Sequence, residues 1–186
     1  RMYYFFAQHH AQQNELKKHQ EFLEKGIKED PRDADVLIAM YRLPGSDVAW
    51  KVKTESIISE AVKHFQAEVK KHEALFRQAD NPVQQDAVRR KLASANNQLA
   101  WLVANTRGDL DEALRCSQRS LELRPGSAGY LDTLAHCYYA KRDYKNAVKH
   151  QLEAVQGEPH SAQMQRQLKL FQKSLQEQAP KATKSD

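Results

Sequence analysis

The amino-acid sequence predicts an all-α chain, an α-solenoid of antiparallel helical hairpins closed by a C-terminal capping helix. Three observations carry that expectation. Only 6 Gly and 6 Pro occur in 186 residues, where ordinary usage would make roughly one residue in eight Gly or Pro. The positions thus freed hold mostly Ala, Leu, Gln, Glu, Lys and Arg, the residues that lose least on entering a helix. The third observation is an internal repeat, with Ala113 falling 34 residues before Ala147 and Pro125 falling 34 before Pro159.

Along the chain, Tyr3, Phe6, Ala7 and His10 are expected on the inner face of a first helix that breaks near Gln13-Asn14. Leu16, Leu23, Gly26 and Ile27 then line a second helix ending at Asp30-Pro31. The apolar run from Ala34 to Leu43 predicts a third, and Leu43-Pro44-Gly45-Ser46-Asp47 is a turn with Asp47 placed to cap a fourth. From Asp47 to Arg77 one long helix is predicted. Ile58, Val62, Phe65, Val69, His72 and Phe76 alternate in steps of four and three and keep one face toward neighbours. Asp80-Asn81-Pro82 interrupts the chain, and a new helix starts near Pro82, whose missing N–H is no loss there.

The two regular copies come next. The segment LDEALRCSQRSLELRP (110–125) is matched by YKNAVKHQLEAVQGEP (144–159), each preceded by a first helix around Leu99-Ala100 and Leu134-Ala135. Leu99 lies 35 residues before Leu134, so the first copy carries one extra residue, in the turn Asn105 to Asp109. Small residues recur where two backbones must cross, Ala100 with Ala113 and Ala135 with Ala147. Leu99, Val103 and Leu110 fill the space beside one pair, and Leu134, Tyr138 and Tyr144 beside the other. Ser161 caps a last helix with Met164, Leu168, Phe171 and Leu175 on one side. Such a helix hides the open end of a stacked array.

This register resembles the tetratricopeptide repeat family. The resemblance implies a right-handed superhelix in one domain, with units at about 1–33, 34–79, 82–127 and 128–161, a capping helix over 162–178 and a disordered tail at 179–186. His19 departs from the pattern, since the family places Ala there. The resemblance also implies that the first helices of successive hairpins line a concave surface. Its exposed positions are expected to be Tyr4 and Gln8, Arg42, then Asn97, Trp101 and Asn105, then Asp132, His136 and Tyr139, and finally Arg166. The two-Lys, two-Asn, one-Arg set with which some members hold a terminal carboxylate is not reproduced, so an acidic chaperone tail is not the expected ligand.

Other function classes find less support. The net charge of +5 is scattered. Lys51, Lys53, Lys63, His64, Lys70, Lys71 and His72 enrich residues 51–72, yet Glu55, Glu60, Glu68 and Glu73 dilute them. A phosphate-binding face needs cations on one side with stacking aromatics exposed. Cys116 and Cys137 imply no disulfide framework and read as small buried residues. Asp132 and His136 form the best two-ligand pair, without a third partner at metal-binding spacing. No nucleophile or phosphate-loop motif is present, and no apolar run approaches the roughly 18 residues a membrane span needs.

The sequence reading is therefore a scaffold without catalytic role, metal or cofactor that binds a protein or peptide in its concave groove. Two alternatives stay open: self-association or support within a longer chain, and nucleic-acid binding through 51–72. The chain opens on Arg1-Met2-Tyr3 without an obvious initiator and reads as a piece of a longer protein. Its compartment is accordingly left open, with the cytoplasm as default.

Overall fold

A computed structural model describes residues 2–178, and the tail expected at 179–186 lies outside them. Among the described residues there are nine helices and no strand. In order they are α1 (Met2–Gln12), α2 (Leu16–Glu29), α3 (Ala34–Tyr41), α4 (Val48–Gln78), α5 (Pro82–Asn105), α6 (Leu110–Leu123), α7 (Ala128–Ala140), α8 (Tyr144–Gly157) and α9 (Ala162–Gln178). Each helix packs chiefly on its neighbours in sequence, and α5 additionally touches α3 and α7. The result is a row of four antiparallel hairpins followed by a closing helix.

Short polar side chains set the helix starts. Asp33 accepts from the Asp35 and Val36 amides, Asp47 from Trp50, Asn81 from Gln84, Asp109 from Asp111 and Glu112, and Asp143 from Asn146. Each bond satisfies an amide that the first helical turn leaves without a partner. The two amide bonds also hold the Asp109 carboxyl below its ordinary value, the Glu112 amide contributing most. Because the folded value is the lower one, this stabilisation is complete above the unfolded value near 3.8 and fades as pH falls through the folded one. Asp109→Asn keeps a capping oxygen without the titrating group. On acidification, followed by circular dichroism, the wild type should therefore lose more stability than the variant does. Equal losses would show that this cap carries no pH-dependent stability.

The small residues meet as expected. Ala100 and Ala113 share one buried cluster with Leu99 and Val103, and Ala135 and Ala147 share another with Phe171. All four alanines are fully buried. Gly108 turns the chain between α5 and α6 at φ 144°, and a Cβ there would stand 3.1 Å from Val103.

The long helices α4 and α5 extend past the regular hairpin together. Val69 and Phe76 of α4 pack on Leu92 and Ala93 of α5 and on Leu123 of α6, so the seam seen in the sequence finds a partner along its whole length. Trp50 closes the short α3–α4 turn, its Nε1 donating to the Met40 carbonyl at 3.0 Å. Val62 and Phe65 contact two successive clusters, which makes the core one stack.

At the first hairpin two expectations change. Phe6 and Leu16 are exposed rather than lining the inner face. Helix α1 packs on α2 and presents its far side to solvent, so only a narrow stripe around Ala7 is covered. Phe22 instead gathers Tyr3, Phe6 and His10 around its ring at centroid distances of 6.4, 5.3 and 5.1 Å. His19 is buried where a small residue was expected. Both cysteines are free, and burial pushes the Cys116 thiol up to about 11 and the Cys137 thiol to about 12, which keeps them protonated and unreactive at neutral pH. No helix among the described residues is long and apolar enough to cross a membrane.

Candidate functional site

The first helices of the hairpins, α1, α3, α5 and α7, together with α9, face a common groove of about 780 Å³. Tyr4, Asp35, Asn97, Trp101, Thr133 and Gln163 supply one or two side chains from each of these helices. Its charge is opposite to that of the whole chain. Glu29, Asp30, Asp33, Asp35, Asp132 and Glu158 line it, against Arg32 and His64. Asp30 and Arg32 lie 3.8 Å apart, and the Arg32 guanidinium meets His64 Nε2 at 3.2 Å, so part of the basic complement is already engaged.

A second cavity of about 230 Å³ adjoins the groove. Tyr4, Asp35, Trp101 and Gln163 line both, so the smaller space is a side chamber of the larger. Gln8, His19, Arg42, His136 and Gln167 complete its polar wall, with Ile38 and Ala39 as apolar floor. Trp101 divides the two. Its Nε1 donates to Asp35 Oδ1 at 2.9 Å, and its ring meets His136 edge to face at 4.9 Å.

His136 is held between Trp101 and Phe171, 5.3 Å from the latter, and is almost completely buried. Burial, reinforced by the Arg42 charge, pushes its imidazole down to about 3, so the ring is neutral at physiological pH. His19 is shifted down as well, first by burial and then by His10. Burial raises the Tyr4 hydroxyl above its ordinary value, with the Asp35 and Asp33 carboxylates adding to the rise. The Arg42 side chain stays accessible to solvent although its neighbours crowd it enough to lower its value; it remains charged at any relevant pH.

Of the residues expected to face the concave side, Tyr4, Asn97, Trp101 and Asp132 line the groove, and Tyr4, Gln8, Arg42, Trp101 and His136 line the chamber. They do not all sit there as exposed contacts. Asp132 and His136 are buried, and Asp132 accepts from Gln151 Nε2 at 2.7 Å. Burial raises the Asp132 carboxyl, and the Gln151 bond opposes that rise.

Asn105 is buried as a strut, accepting from Arg42 Nη2 at 2.6 Å and donating to the Trp101 carbonyl at 2.9 Å. Tyr139 and Arg166 line neither space. Tyr139 stacks on Phe171 at 4.4 Å and reaches Ser174 with its hydroxyl, so it fastens α9 to α7. Arg166 points to solvent, while Gln163 and Gln167, one helical turn apart, hold the inner stripe of α9. Adjacent helix positions differ by about 100°, which is enough to move Arg166 off that stripe.

Sequence reasoning missed Asp35, Gln163, Gln167 and His19. Asp35 stands seven residues before Arg42 on α3, so two turns of helix spacing from an expected groove residue would have found it. His19 carried no such signal because it lies on a second helix.

The basic stretch 51–72 is largely neutralised. Lys53 pairs with Glu24, Lys63 with Glu60, and Lys71 and His72 with Glu68. Phe65 belongs to the core, and His72 is buried. Among the described residues no three of His, Cys, Asp and Glu converge as metal ligands.

Stacked helical hairpins with alanines at the crossings of the last two, first helices toward a common groove and a final helix over the end make an all-α helical-repeat solenoid. No family model matches the sequence, and no curated protein does. Among solved structures, the crystal structure of the P58(IPK) TPR domain is similar at 14% identity and a TM-score of 0.43, over 94% of this chain and 55% of that one. The chain thus spans about half the length of that domain. TTC0263, a thermophilic TPR protein in Thermus thermophilus, is similar at 15% identity and a TM-score of 0.33, over 91% of this chain and 95% of that one. These likenesses concern fold alone.

Proposed function

We propose that the chain is a protein-interaction scaffold that holds an extended segment of another protein in its concave groove, without making or breaking bonds. The observation that supports this most directly is the continuity of the groove, since every hairpin and the closing helix contribute to it. A surface carried on packed helices is ordered before the ligand arrives, so docking costs little conformational entropy on the scaffold side. Trp101, half-buried and held by Asp35, offers a rigid aromatic wall at the centre.

The test is affinity capture followed by comparison of two surfaces. Asn97→Arg combined with Gln163→Arg puts two long cations into the groove. Glu60→Arg changes an exposed residue of α4 outside it. The principal partner of the wild type should be lost with the first variant and kept with the second, both retaining wild-type helicity. Full retention by the groove variant would remove the concave face from consideration and leave self-association as the reading.

A further inference from the structure

We propose that the side chamber of the groove is a binding site for a single carboxylate, supplied by an Asp or Glu side chain of the bound segment. This rests on the concave-face reading above and adds to it the chemistry of the ligand.

The chamber's polar wall carries donors on Arg42, three Gln amides and two imidazoles, and a single carboxylate, Asp35. The Arg42 guanidinium has one hydrogen bond, from Nη2 to Asn105, and forms no ion pair among the described residues. Gln8 and Gln167 place amides in the wall. His19 and His136 are 6% and 5% exposed, and both ring nitrogens of His19 and Nε2 of His136 have no hydrogen-bond partner. A buried polar atom without a partner is costly, so two such rings in one small cavity mark a site that a ligand completes. Each neutral imidazole brings one N–H that an anion can accept from.

The geometry selects a carboxylate over a dianion such as phosphate. The available cation is one planar guanidinium, whose fork matches two oxygens in a plane. Asp35 stands in the same wall, its Oδ1 engaged by Trp101, and would repel a second negative charge more than it repels one. The volume of about 230 Å³ suits one side chain. Because four residues line both spaces, a chain lying in the groove can drop a side chain sideways while continuing in both directions.

The acidic lining of the groove then constrains the residues flanking that side chain. A run of Asp and Glu, or a nucleic acid, meets Glu29, Asp33 and Glu158 in turn. The recognised segment therefore carries an isolated acidic residue among neutral or basic ones.

The experiment uses three synthetic peptides and nuclear magnetic resonance of the imidazole nitrogens. The first is acetyl-Lys-Ala-Glu-Ala-Lys-amide, the second has Gln in place of Glu, and the third is acetyl-Lys-Ala-Lys-Ala with a free terminal carboxylate. The Glu peptide should shift the His19 and His136 ring signals saturably and bind the wild type at least about tenfold more tightly than the Gln peptide, the least expected of a hydrogen bond to a charged group. Arg42→Gln should abolish that preference. Gln167→Glu changes a half-exposed position, leaves the Arg42–Asn105 strut in place, and should abolish it too, which covers the case that Arg42→Gln fails to fold.

Equal affinity for the Glu and Gln peptides, or ring signals that stay still with both, would overturn the proposal. Preference for the third peptide would assign the chamber to a chain terminus and overturn the side-chain assignment. A natural partner lost with the Asn97/Gln163 variant but indifferent to Arg42→Gln would sink this inference alone and leave the scaffold reading standing.

Discussion

Phe171→Ala is expected to lower the stability of the folded chain by about 3–5 kcal/mol, the usual range for emptying a fully buried aromatic site. Phe171 is completely buried and packs against Ala135 and Ala147, the two alanines at the crossing of α7 and α8. It also meets His136 edge to face and stacks on Tyr139. None of these neighbours can fill the space it leaves, because alanine has no reach and His136 is already held by Trp101 on its other side. The closing helix has few other anchors. Met164 packs near its start, where Gln151 also donates to the Met164 carbonyl at 3.2 Å.

In a stacked array each unit leans on its neighbours, so the loss should be graded. Amide exchange in α7 and α8 should accelerate far more than in α1 and α2, and urea unfolding should broaden or split. A uniform loss of protection from end to end would contradict the stacked description, and a loss under about 1 kcal/mol would show that α9 is held elsewhere.

The second large effect concerns the crossings themselves. Ala113→Leu and Ala147→Leu each add three heavy atoms where two helices are in contact, and overpacking of that kind costs roughly 1–3 kcal/mol. The two alanines belong to separate clusters without a shared member, so the double variant is expected to lose about 2–6 kcal/mol, the sum of its parts. Chemical denaturation of the two singles and the double would measure this. Tolerance of leucine at one site and not at the other would mean that the two crossings are not equivalent. The shared 34-residue register would then be a coincidence of composition.

The two regular hairpins were legible because their signal is local and redundant. Small residues, large apolar neighbours and a terminal Pro recur in the same order twice, and each feature constrains backbone geometry within a few residues. The long α4 was legible for a similar reason, since the steps of four and three through Ile58, Val62, Phe65 and Val69 describe one helix face whatever it packs on. The first hairpin was less legible. Periodicity places Phe6 and Leu16 on the apolar side of their helices, but how much of that side is covered depends on how many neighbours arrive, and α1 packs chiefly on α2.

Site residues divide along the same line. Residues on the first helices, such as Tyr4, Asn97 and Trp101, could be placed by stepping along a helix face. Tyr139 could not, because whether it faces the groove or α9 is decided by the path of the last helix. Asn105 looked like a groove contact in sequence and turned out a strut, and Asp132 lines the groove but is buried and engaged, since their partners Arg42 and Gln151 lie 63 and 19 residues away.

By itself, then, the order of residues determined that the chain is helical, where its helices break, and which pairs of them form hairpins. These properties follow from backbone propensity, capping and spacing over one or two helical turns. Tertiary structure alone decided the acidic sign of the groove in a basic chain, the meeting of Trp101 with Asp35 and His136, and the chamber that leaves His19 and His136 without partners. Each of these joins side chains from hairpins far apart in sequence. Their distances depend on the cumulative rotation of one hairpin on the next, and no stretch of a single helix encodes it.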